Sequence, residues 1–480
     1  MRQPGSASST GLLDRFRSTI DHRDPIGWLA SDLVGAKAVV DGPFGMRPLV
    51  YADYVASGRA LRGIESFVLD GVLPYYANSH TEASYCGGMM TRLRREARAR
   101  IAACCGADEH HAVIFSGSGA TAGINRLVAL LGIGKRSRIV LGPYEHHSNI
   151  LPWRESGAEV IEIAEAPSGG PDMRELQAAL AAPGADRVIC SLSAASNVTG
   201  ILTDVEAVTR AVKASGATMI WDYACAGPYV PIGMGKPGAE IDAIVVSPHK
   251  FVGGPGASGV LIVRRDSVVS KRPTWPGGGT VKFVSPTEHD FSDSIETREE
   301  AGTPNVIGDI RAALAFIAKD AIDVDEAAGR SRTLVARALG AWSNHPRLQL
   351  LGSLTAPRLP IFSFRVRDGM GGFVHQQLVT RMLSDRFGIQ ARGGCACAGP
   401  YAHRLLGIDA ETSDRMRHSI LAGDEMEKLG FVRLNLSVLM PDEKVDFILE
   451  SVAQLASDAG DYVPLYDFDP GRAIFFPKAA

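Results

Sequence analysis

An α/β sandwich built on a mostly parallel sheet is the fold this sequence predicts, and three observations carry the prediction. From about Tyr51 onward, apolar runs of four to six residues recur, which is how strands buried on both faces of a sheet read. Amphipathic stretches of helical length separate these runs, with glycine-bearing loops between. Polar residues able to do chemistry stand directly after the runs, where open parallel sheets place their ligands.

Taken in order, Ala112-Val113-Ile114-Phe115 leads through Ser116-Gly117-Ser118-Gly119 into a helix expected over Thr121 to Leu131. Arg138 to Leu141 leads to Glu145-His146-His147, and Ala158 to Ile163 precedes a helix from Met173 to Ala181. Arg187 to Leu192 is followed by Asn197 and a helix from Val205 to Ala214, and Thr218 to Trp221 ends at Asp222. Asp242 to Val246 opens into Ser247-Pro248-His249-Lys250 and the loop Gly253-Gly254-Pro255-Gly256. After Ala301-Gly302-Thr303-Pro304-Asn305, a helix from Ile307 to Ala321 and a strand from Leu359 to Val366 predict a second, smaller α/β domain. The expected division is a large domain over 47–310 and a small C-terminal domain over 311–480, with 1–46 packing on the latter.

A chain of 480 residues can bury a substantial core, and its net charge of -3 offers no footprint for nucleic acid or an anionic membrane. No apolar run reaches the roughly 20 residues of a membrane span, and Met1 to Asp21 lack the pattern of a signal peptide, so a cytoplasmic protein is expected. Seven unevenly spaced cysteines argue against a disulfide framework. Cys395-Ala396-Cys397 with His403 has no second cysteine pair at zinc-site spacing, so no metal is expected.

A lysine carried on the loop after a buried strand is poorly placed for a surface charge and well placed to form an imine. Burial lowers its pKa, and the neutral amine can condense with an aldehyde such as that of pyridoxal phosphate, although an ordinary strand-end lysine reads the same on the tetrad Ser247-Pro248-His249-Lys250 alone. That cofactor asks for a phosphate cradle, a plate against its ring, an acid at its pyridine nitrogen and a lysine. Gly119, Ala120 and Thr121 stand at a strand-to-helix turn whose free amides favour phosphate, although such a turn also occurs without a ligand. His146 has the position of a ring plate, or of a structural histidine. Asp222 has the position to hold the pyridine nitrogen protonated, or to cap a helix. Asn197 would donate to the cofactor's phenolic oxygen or to a substrate carboxylate, or simply make a turn.

These residues stand in a telling order. Asp222 followed by Ser247-Pro248-His249-Lys250, and preceded by Glu145-His146-His147-Ser148-Asn149-Ile150-Leu151-Pro152-Trp153 and Ser196-Asn197-Val198-Thr199-Gly200, resembles the class V aminotransferase family of fold-type I pyridoxal phosphate enzymes. Within it, the chain is most similar to cysteine desulfurases and selenocysteine lyases, from Tyr51-Ala52-Asp53 to about Asn435. The resemblance implies a large domain with a mostly parallel seven-stranded sheet. It implies that Lys250 holds the internal aldimine, Asp222 the pyridine nitrogen and His146 the ring face, while Thr121, Ser247 and His249 bind phosphate. It implies that Thr280, in Pro273-Thr274-Trp275-Pro276-Gly277-Gly278-Gly279-Thr280, reaches the phosphate of a neighbouring subunit in a homodimer with shared active sites. Arg433 matches the arginine that clamps the substrate α-carboxylate, a bidentate task suited to a guanidinium.

In Ala391-Arg392-Gly393-Gly394-Cys395-Ala396-Cys397-Ala398-Gly399-Pro400, Cys397 stands at the fifth position after Arg392, where second-type desulfurases carry their nucleophile. The resemblance thus implies sulfur removal from L-cysteine, or a related sulfur or selenium amino acid, through a Cys397 persulfide that a sulfur-acceptor protein would relieve. Arg392 beside a glycine-rich loop favours the thiolate. Cys395 either relays sulfur or fills a small site. Three features depart from the family pattern. Cys225 replaces a glutamine whose amide reaches the phenolic oxygen. Ser84 aligns loosely with a histidine of the second-type enzymes, for which His80 is a substitute candidate. The residues around Cys397 differ from the usual cysteine loop. The alternative is a class V aminotransferase, epimerase or β-lyase on another amino acid in which Cys397 is not catalytic.

Overall fold

A computed structural model describes residues 11–79, 82–428 and 430–478. Its centre is a seven-stranded sheet running His111–Gly117, Gly259–Arg264, Ala243–Val246, Thr218–Asp222, Arg187–Ser193, Ser137–Leu141 and Glu159–Glu162 from edge to edge. All neighbours pair in parallel except Gly259–Arg264, which opposes both of its partners. The sequence reading did not single out that strand. It returns from the Lys250 loop with no crossover helix, and a connection of that kind can only lead back antiparallel. Alternate residues divide between the faces: Val140, Cys190, Trp221 and Ile244 enter one core, Ile139, Ile189, Ile220 and Val245 the other.

Helices Met173–Ala181 and Val205–Ala214 have the expected bounds, because Asp172 and Asp204 cap them through their side chains. The helix expected from Thr121 begins at Gly119, whose positive φ of 66° lets the chain turn straight from strand to helix. The helix expected from Ile307 covers Val306–Asp320, and the strand expected from Leu359 starts at Ile361.

The second core lies under a four-stranded sheet ordered Leu348–Leu350, Ile361–Val366, Phe431–Asn435, Arg392–Gly394. Helices Val324–Trp342, Gln376–Phe387 and Asp442–Tyr462 pack their apolar faces on it. The N-terminal segment, expected on the small domain, divides between the two cores. Leu13, Phe16, Ile20 and Leu29 enter the large core, because the spacing of the first three makes one apolar stripe on helix Leu12–Ile20. Hairpin Val39–Gly42/Gly45–Pro48 lies on the small domain, with Phe44 packed there and Arg47 Nε donating to Arg386 O at 2.7 Å. The expected boundaries at 47 and 310 shift accordingly: Val50, Ala52 and Tyr54 belong to the small core, while Phe316 and Ile317 belong to the large one. Among the described residues no helix is long and apolar enough to cross a membrane.

Candidate active site

The carboxyl ends of the parallel strands and the turns after them enclose a cavity of about 270 Å³. Ala120, Thr121, His146, Asn197, Asp222, Cys225, Ser247, His249 and Lys250 all line it, together with Ser148, which the sequence reading passed over. Residues spread over some 130 positions meet here because each follows a strand of one sheet.

Helix Gly119–Leu130 points its N-terminus at this space without a side-chain cap. Ala120 N donates to Ser247 Oγ at 3.0 Å, leaving the serine hydrogen free to donate. A Cβ on Gly119 would stand 2.9 Å from His249 Cε1 and Ser247 Oγ, so only glycine keeps this cradle open. Thr121 Oγ1 lies 2.7 Å from Ser148 Oγ, and Ser148 N and Oγ approach His146 Nδ1 at 3.1 and 3.0 Å. Burial, then the Lys250 ammonium, pushes His249 down to about 4 and His146 to about 3. Both rings are neutral near pH 7, which suits a flat plate and an N–H donor to phosphate.

Asp222 is 4% exposed and accepts from Ala224 N at 2.7 Å. Burial raises its pKa, opposed by that bond and by Lys250. Burial lowers Lys250 itself. A buried carboxylate short of a cation and a buried amine leaning to its neutral form are what a protonated pyridine ring and an aldehyde require. Cys225 gives its thiol hydrogen to Ser196 O at 3.6 Å, and burial lifts the thiol to about 11, so it offers no amide-like donor to the cavity.

Beside the cavity, Arg433 and Arg392 face each other on paired strands. Two guanidiniums at opposed positions repel, and Asp53 bridges them: Arg433 Nη2 lies 2.8 Å from Oδ1 and Arg392 Nε 3.0 Å from Oδ2. Arg433 Nη1 donates to Asn197 O at 3.0 Å. Arg433 Nε and Asn197 Oδ1 are buried with no hydrogen-bond partner among the described residues. Polar atoms left unpaired by the protein at the rim of a cradle are free to bind a ligand's polar groups, and together with the helix N-terminus they fit a phosphorylated cofactor carrying an amino-acid carboxylate.

The cysteine loop is tied to the same place. Asn197 Nδ2 donates to Ala396 O and His147 N to Cys397 O, both at 2.8 Å, and Gly399 N donates to His147 Nε2 at 3.0 Å. Ala396 and Cys397 have φ of 52° and 54°, left-handed values that cost a non-glycine residue about 1 kcal/mol or more each. Cys397 is exposed and Cys395 half-buried. Neither thiol lines the cavity, and neither does Thr280, whose hydroxyl donates to Gly277 O at 2.6 Å within its own loop. Ser84 caps helix Tyr85–Cys104, accepting from Gly87 N at 3.1 Å, while His80 lies outside the described residues. Asp53 and His147 escaped the sequence reading as site residues: nothing local distinguishes an aspartate after a two-residue strand or the second of two histidines.

Fold and site together define a pyridoxal phosphate enzyme of fold type I. The family model for class V aminotransferases matches residues 50–446, and the chain belongs to that family. It is 27% identical over 362 residues to a cysteine desulfurase of Serratia proteamaculans (strain 568), covering 74% of this chain and 85% of the relative. It is 30% identical over 370 residues to a cysteine desulfurase of Klebsiella pneumoniae, covering 75% of this chain and 86% of the relative. The apo structure of a cysteine desulfurase from Thermococcus onnurineus NA1 superposes with a TM-score of 0.71 at 25% identity, over 85% of this chain and 95% of that one.

Proposed function

We propose that this enzyme removes sulfur from L-cysteine, or from a related sulfur or selenium amino acid, and receives it on Cys397. The supporting observation is the exposed Cys397 on left-handed backbone, its carbonyl bonded to the residue after His146 and its neighbour's carbonyl bonded to Asn197. Such backbone strain persists where the surroundings hold it and function uses it.

When bound, pyridoxal phosphate supplies the electron sink for bond breaking at the substrate. Arg433, through its free Nε, binds the α-carboxylate, and Asn197 orients it. Lys250, buried and inclined to the neutral amine, takes and returns the proton at the α-carbon. The Cys397 thiolate attacks the substrate sulfur. A sulfur–sulfur bond forms, and the carbon–sulfur bond breaks with its electron pair staying on carbon. A proton then completes alanine, and Cys397 carries the sulfur as a persulfide until an external thiol accepts it.

Desulfuration predicts alanine and sulfide from L-cysteine plus a thiol reductant, abolished in Cys397→Ala and largely kept in Cys395→Ala. Two observations favour a second reading, transamination, epimerisation or β-elimination with Cys397 idle: Cys225 withholds the donor an amide would give, and Ser84 is spent as a helix cap. Pyruvate and ammonia as products, or full activity in Cys397→Ala, would select it. A homodimer with shared sites, a sulfur-acceptor protein and a cytoplasmic location belong to the same proposal. All seven cysteines are free thiols, which suits a reducing compartment.

A further inference from the structure

A second cavity, of about 380 Å³, lies where the N-terminal helices, the large domain and the small domain meet. Its walls are mainly apolar, with Leu29, Val230, Ile232, Phe251, Ile322 and Val438 among them. Three basic residues line that wall: Arg17, which is exposed, Lys250, the lysine assigned to the cofactor, and Lys319. Lys319, at the end of helix Val306–Asp320, donates its ammonium to Val230 O at 2.7 Å and sits 5.6 Å from the centre of the Phe251 ring. No carboxylate lies within 4.0 Å of its nitrogen among the described residues, so none of its three hydrogens has an anionic partner there. The one acid of the wall, Asp320, engages the Cys104 thiol, which burial keeps neutral. Burial lowers the pKa of Lys319, opposed in part by Cys105, Asp320 and Cys104 nearby.

An apolar chamber into which a part-buried lysine projects with no carboxylate in ion-pair contact among the described residues selects a ligand that is apolar along its body and anionic at one end. We propose that this cavity is a second small-molecule site, for a monocarboxylate with a short apolar body whose carboxylate pairs with Lys319. The volume falls in the range of small-ligand pockets. Lys250 and Phe251 both belong to its wall, so a ligand here touches the segment that carries the cofactor lysine.

Octanoate is a suitable probe, titrated calorimetrically into the holoenzyme, with octanol as the same body without the charge. Octanoate should bind and octanol should bind at least about tenfold more weakly, the scale of a charge-assisted hydrogen bond. Lys319→Met should weaken octanoate by a similar factor and leave octanol unchanged. Ala327→Phe, which fills the chamber and keeps the cation, should abolish both. Equal affinity for octanoate and octanol, no binding of either, or undiminished octanoate binding in Ala327→Phe would each overturn the proposal. That last variant decides the matter even if Lys319→Met fails to fold. Because binding is read directly, failure here is distinct from failure of the desulfurase reading.

Discussion

His146 and His249 face Lys250 across one small cavity, and burial holds both folded-state pKa values, about 3 and about 4, well below the ordinary 6.5. Between those values and 6.5 the unfolded chain binds more protons than the folded one, so their contribution to stability is complete above pH 6.5 and is lost as pH falls toward 4. For His146 the loss at pH 5 is at most about 2 kcal/mol, and it is smaller for the more solvated His249. Glu145 works in the opposite sense. Burial, against bonds from Ser193 and Asn149, raises it to about 8, so its contribution is present below the ordinary 4.5 and is lost as pH rises through 8. The histidine effect is therefore isolated by difference: from pH 7 to 5, the urea midpoint of the apo-protein should drop less in His146→Gln than in the parent. Equal drops would contradict it. At the same scale, Lys250→Ala should remove the visible absorbance of the bound cofactor and nearly all turnover, while the circular dichroism of the fold is retained.

Strand pairing sets Arg392 opposite Arg433, and Asp53 makes that register tolerable. Asp53 and Arg433 are 8% and 3% exposed, so removing the carboxylate leaves a buried guanidinium unpaired. Asp53→Ala should cost about 3 kcal/mol of stability by urea unfolding. It should also raise KM for the amino acid more than it lowers kcat, since Arg433 loses its aim rather than its charge. A loss under about 1 kcal/mol would mean that water replaces the carboxylate there.

On the scale of the whole molecule, the segment from Trp275 through hairpin Val281–Val284/His289–Phe291 exposes Trp275, Phe283 and Val284 by 55% or more. Under the homodimer reading this surface is buried by the partner. Phe283→Asp with Val284→Lys should convert a dimer to a monomer in sedimentation velocity and lower activity at least about tenfold. A parent protein that sediments as a monomer at micromolar concentration would refute the shared site.

Local pattern determined much of this protein. Continuous apolar runs specify the parallel strands, Asp172 and Asp204 specify two helix starts, and Asp222 with Ser247 to Lys250 points to the cofactor. Those features are legible because burial and capping act between residues a few positions apart. The tertiary structure alone decided the rest: the reversal of Gly259–Arg264, the division of the N-terminal segment, the bridge from Asp53 to an arginine 380 positions away, and the seating of Cys397 on His147. Such contacts join segments that are neighbours only after the two cores have formed, and no periodicity in the chain encodes which distant charge will meet which.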